Sequence, residues 1–384
     1  MPIYAYDLYQ VRRDLNDVLS TIVRDEPRFI SCFKPGLAAT TQKHEWLEDQ
    51  ISGRSITAVA VSSGTVTAGT ADVAKLKAGT LLVIKDDTAL FRVEAIASTT
   101  TFTVSLVAAN GSSTTAIAAG NTLNIAGTPV QEGSANGDGD ESGVISDVAY
   151  NYTQIFRKDI ILTGTALAVS VYGGVDNQIN RQTRIALSEL TRDLNRLALY
   201  GRRVQPTSAA NGEFGGLYYF AAQSDGLAVD ASAAKLDSFV INDAAQAVLG
   251  EGGVPGLILC APGQARVLSN EYKEQLHIVR EDPARGAYVA MIVNEITGQS
   301  MQVIADPDVP DAEVWVMDGN GFELAPLQGR AIADEDTTPN GFDGIRRTAL
   351  GELTLVFKNA RQRLCRIHNL KGSTAALAAL RSTT

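Results

Sequence analysis

The sequence is poor in the residues that staple, ligate or catalyse. Its 384 residues hold three cysteines, Cys32, Cys260 and Cys365, far apart and without a CxxC pair or any metal-ligand spacing, which excludes a disulfide framework and a dithiol redox site. They read as small apolar fillers of a core. A chain of this length buries about three quarters of its unfolded surface, so it needs neither disulfides nor a metal to be stable. Its three histidines, His44, His277 and His368, include no pair at helix or finger spacing, and a zinc site is not expected. No apolar run approaches the ~20 residues that span a bilayer. The N-terminus MPIYAYDLYQVRRD has no basic region followed by an apolar stretch, hence no secretory signal. The expectation is a protein that stays in the cytoplasm and makes no use of a membrane.

Basic excess is lacking too. Lysine and arginine total 33 against 43 acidic residues, a formal charge of -10. Nucleic-acid binders take most of their affinity from neutralising phosphates, so a chain of this sign could enclose DNA but would not grip it. Enzyme signatures are missing as well: no GxxxxGK[ST], HExxH or GxSxG, and no GxGxxG between a strand and a helix. Cys260 stands before Pro262-Gly263, where nucleophiles occur, but has no histidine partner at a recognisable position. The acids Glu45, Glu48 and Asp49 form the kind of cluster any acidic loop offers. Asn136, Asp138, Asp140 and Asp147 fall at calcium-loop spacing, yet the required sixth-position glycine is Glu141 and no helices flank the loop. Gly133 to Gly143 therefore reads as a solvated acidic loop. No catalytic, cofactor-binding or metal-binding residue is expected, and no enzyme.

What is present has a clear order. Residues 1–41 read as an N-terminal arm, with a short helix whose Leu15, Val18, Leu19 and Ile22 share one face. Tyr4, Tyr6, Tyr9, Phe29 and Phe33 read as aromatics without a core. Residues 42–53 and 130–172 read as extended strands. Between them, residues 54–129 turn to Thr, Ala, Val, Ser and Gly, with β-rich runs at Ile56–Val61, Thr80–Lys85, Ala89–Ile96, Phe102–Val107 and Thr122–Ile125. Five short strands separated by glycine turns predict a small barrel or sandwich, inserted as a unit of its own.

Asp176 to Tyr200 is the strongest helix: Ile179, Thr183, Ala186, Leu187, Leu190, Leu194 and Leu197 form one stripe, Asp176 stands at the cap, and Gly201 ends it. Its other face carries Arg181, Arg184, Arg192 and Arg196, which are either solvated or turned toward acidic groups of another subunit. A second helix, Lys235–Leu249, is expected to bury Leu236, Phe239, Val240, Ala244, Ala247 and Val248. Leu257–Cys260 reads as a buried strand, Gly263–Ser269 as a helix. Strands follow at Tyr288–Ile296, Met301–Ile304, Glu313–Met317, Ile345–Ala349, Leu353–Lys358 and Arg363–Asn369, then a short helical tail. The class is α+β, without a βαβ repeat.

Five segments, taken in order, resemble one family. They are HEWLED (His44 to Asp49), with Trp46 at its centre; the insert's LKAGTLLVI, FRVEAI, TFTVSLV and GNTLNIAGTPVQEGS; YTQIFRKDIILTGTALAV leading into the long helix; Phe214-Gly215-Gly216-Leu217; and ELAPLQGRAIAD with GELTLVFKN and RLCRIHNL. The series is similar to tailed-phage major capsid proteins that carry an inserted β module and share the Hong Kong ninety-seven capsid fold; Ser105-Leu106 departs from the Arg-Gly usual there. The resemblance implies a long spine helix (173–228, with part of the peripheral domain), an axial domain (229–316), and peripheral strands with a C-terminal tail (317–384). It implies a virion shell of hexamers and pentamers, assembled in the host bacterial cytoplasm around double-stranded DNA, with scaffolding, portal and decoration proteins as prospective partners. Candidate assembly residues are Leu15, Val18, Leu19, Ile22, Trp46, Arg181, Arg184, Arg192 and Arg196. An encapsulin-like compartment shell is the alternative with the same fold.

Overall fold

A computed structural model describes residues 27–48, 55–85, 87–114, 116–130, 132, 147–169, 178–223, 227–271 and 291–382. The chain divides into two compact units, one of Met1–Trp46 with Val148–Thr384 and the other of Leu47–Asp147. The arm residues Leu15, Val18, Leu19 and Ile22, the helix cap Asp176 and the acidic loop 133–143 lie outside the described residues.

The larger unit holds two sheets. The first has the order Lys34–Pro35, Phe322–Pro326, Gly344–Phe357, Gln154–Thr163, with Ala333–Asp336 also paired to Gly344–Phe357. That 14-residue strand was expected as two, Ile345–Ala349 and Leu353–Lys358. Gly351 instead sits inside the ladder, and a Cβ there would lie 2.9 Å from the Ile332 Cα. The glycine is kept by a crossing backbone, not by a turn. The second sheet has the order Leu227–Asp230, Leu364–His368, Val314–Met317, Leu257–Cys260, Ser300–Ala305, Met291–Val293. Leu257–Cys260 and Val314–Met317 are buried at every position, as central strands covered on both faces are. Cys260 and Cys365 lie in this core, and burial pushes both thiols up to about 12. They stay protonated and inert, as core fillers do.

The long helix spans Gln178–Tyr200 and buries Ala186, Leu190 and Leu194 as its stripe requires. In the last turns the buried set becomes Asn195, Ala198 and Leu199 in place of Leu197, because other chain segments wrap that end. The second helix spans Ser238–Gly250. Asp237 caps it, its carboxylate accepting the Val240 N–H at 3.0 Å. With the start fixed there, Ile241, Ala244, Ala245 and Val248 turn inward, and Phe239, expected inside, is 76% exposed.

The aromatics Phe29 and Phe33 are likewise corrected. Phe29 is fully buried, edge-on to Phe33 at 5.1 Å, and Phe33 contacts Phe322 and Phe357 at 5.6 Å each. Lys34–Pro35 then adds to the first sheet in parallel. The end of the expected arm is thus part of the subunit core.

The smaller unit is a seven-strand sheet in the order Ser55–Thr57, Thr122–Gly127, Leu81–Ile84, Leu90–Ile96, Thr101–Ala108, Thr65–Thr67, Ala60–Ser62. Its first and last strands are separated in sequence by only Ala58 and Val59, whose N–H groups bond to Asn121 and Thr67 at opposite edges. The sheet therefore closes on itself as a barrel, around Ile56, Val66, Leu82, Phe91, Val93, Phe102 and Leu123. The expected run Ile56–Val61 is two strands bent at that closure, and Thr65–Thr67 is a strand too short to show alternation.

Two outcomes test these cores. Replacing residues 55–127 by a short Gly/Ser linker should leave one cooperative unfolding transition for the remainder, measured by thermal circular dichroism. Leu194→Asp should cost several kcal/mol of the ~5–15 kcal/mol a domain has, and the variant should be recovered only as insoluble protein.

Candidate functional site

The C-terminal end of the long helix is where separate parts of the subunit meet, and polar side chains do the joining. Asp306 follows the strand Ser300–Ala305 and is fully buried. Its Oδ2 accepts the N–H of Phe29 at 3.0 Å, the N–H of Arg28 at 3.3 Å and the Asn195 Nδ2 at 3.0 Å, and its Oδ1 accepts the Asp308 N–H at 2.9 Å. Asn195 uses its other end to accept the Ile30 N–H at 3.0 Å, and its Nδ2 also reaches Asp308 at 3.1 Å. A buried carboxylate without such donors would be costly; here four N–H groups converge on it. Arg196 Nε meets Asp308 Oδ1 at 2.7 Å, and the Tyr200 hydroxyl donates to the Asp308 carbonyl at 2.6 Å. Tyr200 stacks on Tyr218 at 5.2 Å, and burial, with Glu313 and Asp308 beside it, raises its pKa.

The next turn is shaped by close approach. Gly201 ends the helix, its N–H bonded to the Leu197 carbonyl at 2.7 Å. Gly216 passes directly over the helix end, where an added Cβ would lie 2.6–2.8 Å from the Leu197, Ala198 and Leu199 carbonyls. Any side chain there would push the loop off. Asn151, fully buried, clamps the same loop: it accepts the Gly215 N–H at 2.7 Å and donates to the Leu355 carbonyl at 2.8 Å.

The residues singled out from sequence fall in different places. Trp46 is 9% exposed and packs on Phe220 at 6.2 Å within its own chain. Arg196 is held by Asp308 in its own subunit. Arg184 is exposed and Arg181 and Arg192 are half-buried, all three without an ion pair among the described residues. The helix's acids are turned to another partner: Lys158 Nζ lies 2.7 Å from Asp193 and 3.9 Å from Glu189. Asn195, Asp306 and Asn151 were not anticipated. An asparagine beside a leucine stripe and the Asp-Pro-Asp at 306–308 were the available signals.

The arrangement joins backbone segments of distant parts of the chain. Among the described residues no group of three His, Cys, Asp or Glu could hold a metal ion. The open groove of about 390 Å³ beside the helix is lined by Phe156, Lys158, Leu190, Asp193 and Arg196 among others, and its Lys158 is paired with Asp193 at 2.7 Å.

Asp306→Ala should leave the buried Phe29 N–H and the Asp308 N–H without their acceptor, while Asn195 keeps Asp308. At about 1–3 kcal/mol for each buried orphan, the loss should reach ~2 kcal/mol or more, measured as a lower urea midpoint.

No curated protein sequence matches the chain. Solved structures do. An 11% identical chain described as "Cyanophage A-1(L) capsid asymmetric unit" has a TM-score of 0.61, covering 96% of this chain and 98% of that one. A Microbacterium phage Oxtober96 chain, 12% identical, gives 0.54 over 96% and 99%. A chain described as "Capsid of native GTA particle computed with C5 symmetry", 10% identical, gives 0.52 over 95% and 97%. Identities this low speak for the fold, and the fold is theirs from end to end. A family model described as "SU10 major capsid protein" matches residues 3–371; the chain belongs to the SU10 major capsid protein family.

Proposed function

We propose that this chain builds the icosahedral head of a tailed phage: copies gather as hexamers and pentamers, close into a shell in the host cytoplasm, and enclose double-stranded DNA without reading its sequence. The observation that carries this reading is the family match across residues 3–371, on a fold that aligns with capsid chains over nearly its full length. The charge of -10 suits a container more than a DNA grip. The protein then acts by geometry alone and performs no catalysis. The long helix is its spine, the sheet built on Gly344–Phe357 the peripheral domain, residues 229–316 the axial domain, and the barrel a module added to the shell subunit. Scaffolding, portal and decoration proteins are its prospective partners. An encapsulin-like compartment would share the spine and sheets; the family match and the inserted barrel favour the phage head.

Assembly contacts are assigned to Leu15, Val18, Leu19 and Ile22 of the arm and to Arg181, Arg184 and Arg192 of the helix. Trp46 and Arg196 are engaged inside the subunit and shape these surfaces without forming them.

Electron microscopy of the purified chain tests the reading: closed particles are expected, and dispersed monomers at all concentrations would contradict it. The arm has a sharper test. Deleting residues 2–26 should leave the thermal melt intact and abolish closed particles. Extending the deletion to residue 34 removes Phe29 and Phe33 from the core and should unfold the subunit.

A further inference from the structure

The long helix carries three arginines that make no ion pair among the described residues. At 100° per residue, Arg181, Arg184 and Arg192 lie within ~80° of one another on one side, the side on which Ser188 is exposed. Glu189, about 60° from Arg192, and Asp193 are both engaged by Lys158. Among the described residues none of the three arginines has an ion pair, and Arg192 Nε is buried without an acceptor. A guanidinium stays charged at every accessible pH, so the strip is positive in a chain whose net charge is -10.

The opposite sign stands at an edge of the first sheet. Ala333–Asp336, the sequence ADED, pairs only with Gly344–Phe357. Asp334 is taken by Arg347 at 2.8 Å. Asp336 accepts the Thr338 N–H at 3.0 Å and remains exposed, and Glu335 is exposed with no ion pair among the described residues. Charges on an edge strand ordinarily keep it from pairing with another edge; these also have the sign that the arginine strip lacks. In the sheet, Gly344–Phe357 separates this edge from Gln154–Thr163, the strand on which the helix lies. The two surfaces do not pair with each other within the subunit among the described residues.

We propose that the Arg181–Arg184–Arg192 strip of one copy receives the Glu335–Asp336 edge of the next. The contact rests on the reading of the chain as a shell subunit and adds a partner surface and a polarity to it. Carboxylates meet guanidinium groups in two-pronged hydrogen bonds. Because the two surfaces differ and lie on one chain, the contact repeated from copy to copy runs head-to-tail and can close a ring. Such a contact weakens as salt rises.

Charge exchange in the full-length chain tests it. Arg181→Glu with Arg184→Glu, and separately Glu335→Arg, should each lower the sedimenting particle fraction at least tenfold while circular dichroism is unchanged. A chain carrying all three changes should assemble again. The neutral pair Arg181→Gln with Arg184→Gln, the milder change, should raise the concentration needed for assembly by a similar factor. Wild-type particle yields from the charge-reversed or neutralised chains would overturn the proposal, as would a folded triple variant that forms no particles. A wild-type chain that never forms particles would overturn the shell reading itself, and the contact with it.

Discussion

The larger unit depends on a buried carboxylate that no cation neutralises. Asp306 is completely enclosed and is satisfied only by N–H donors from the N-terminal segment, the long helix and its own loop. The Phe29 N–H in particular is buried and turned to Asp306. Each group is therefore stable only while the others are in place. Phe29 adds the apolar half of the same joint: its N–H is fixed by Asp306 and its ring fills the core beside Phe33. The helix end, the six-stranded sheet and the segment around Phe29 are thereby held as one piece.

A second constraint follows at the same helix end. The Gly216 backbone lies on the last carbonyls of the helix, and Asn151 ties that loop to the strand Gly344–Phe357. The five-stranded sheet is in this way keyed to the helix that the six-stranded sheet also grips through Asp306. For a shell subunit this matters, since a contact made at one face must hold its position relative to contacts made at others. On the helix itself Lys158 engages Asp193 and Glu189, and Arg196 pairs with Asp308. Tyr200, Tyr218 and Trp315 pack around the junction, with ring centroids 5.1–5.2 Å apart.

Much of this was legible from residue order. The leucine stripe located the long helix because burial on one face imposes a 3.6-residue period, and Leu190 and Leu194 are buried as that period demands. Leu257–Cys260 read as a central strand because both its faces are apolar. The barrel was visible in composition, since β-branched and small residues with glycine turns leave no helix pattern. The errors have physical causes. Phe239 was placed inside because periodicity cannot tell where a helix starts; Asp237 decides it. Gly344–Phe357 was expected as two strands because the residues between Ala349 and Leu353 include Gly351, whose place in the ladder is set by the crossing of Ile332. Phe29 and Phe33 looked unclaimed because their partners, Phe322 and Phe357, stand some 290 to 330 residues later, beyond any local pattern. Asn195 and Asp306 were missed for the same reason: a polar joint between distant segments leaves no period. The resemblance to capsid proteins supplied the function, which spacing and composition alone did not name.

Native-state hydrogen exchange at the Phe29 and Ile30 amides measures the joint itself. If the Asn195–Asp306 joint holds the subunit together, both amides should open only with global unfolding, as slowly as Leu355 and Trp315 in the central strands. Exchange at the rate of an exposed loop would mean that the N-terminal segment comes away by itself, and that the subunit does not depend on it.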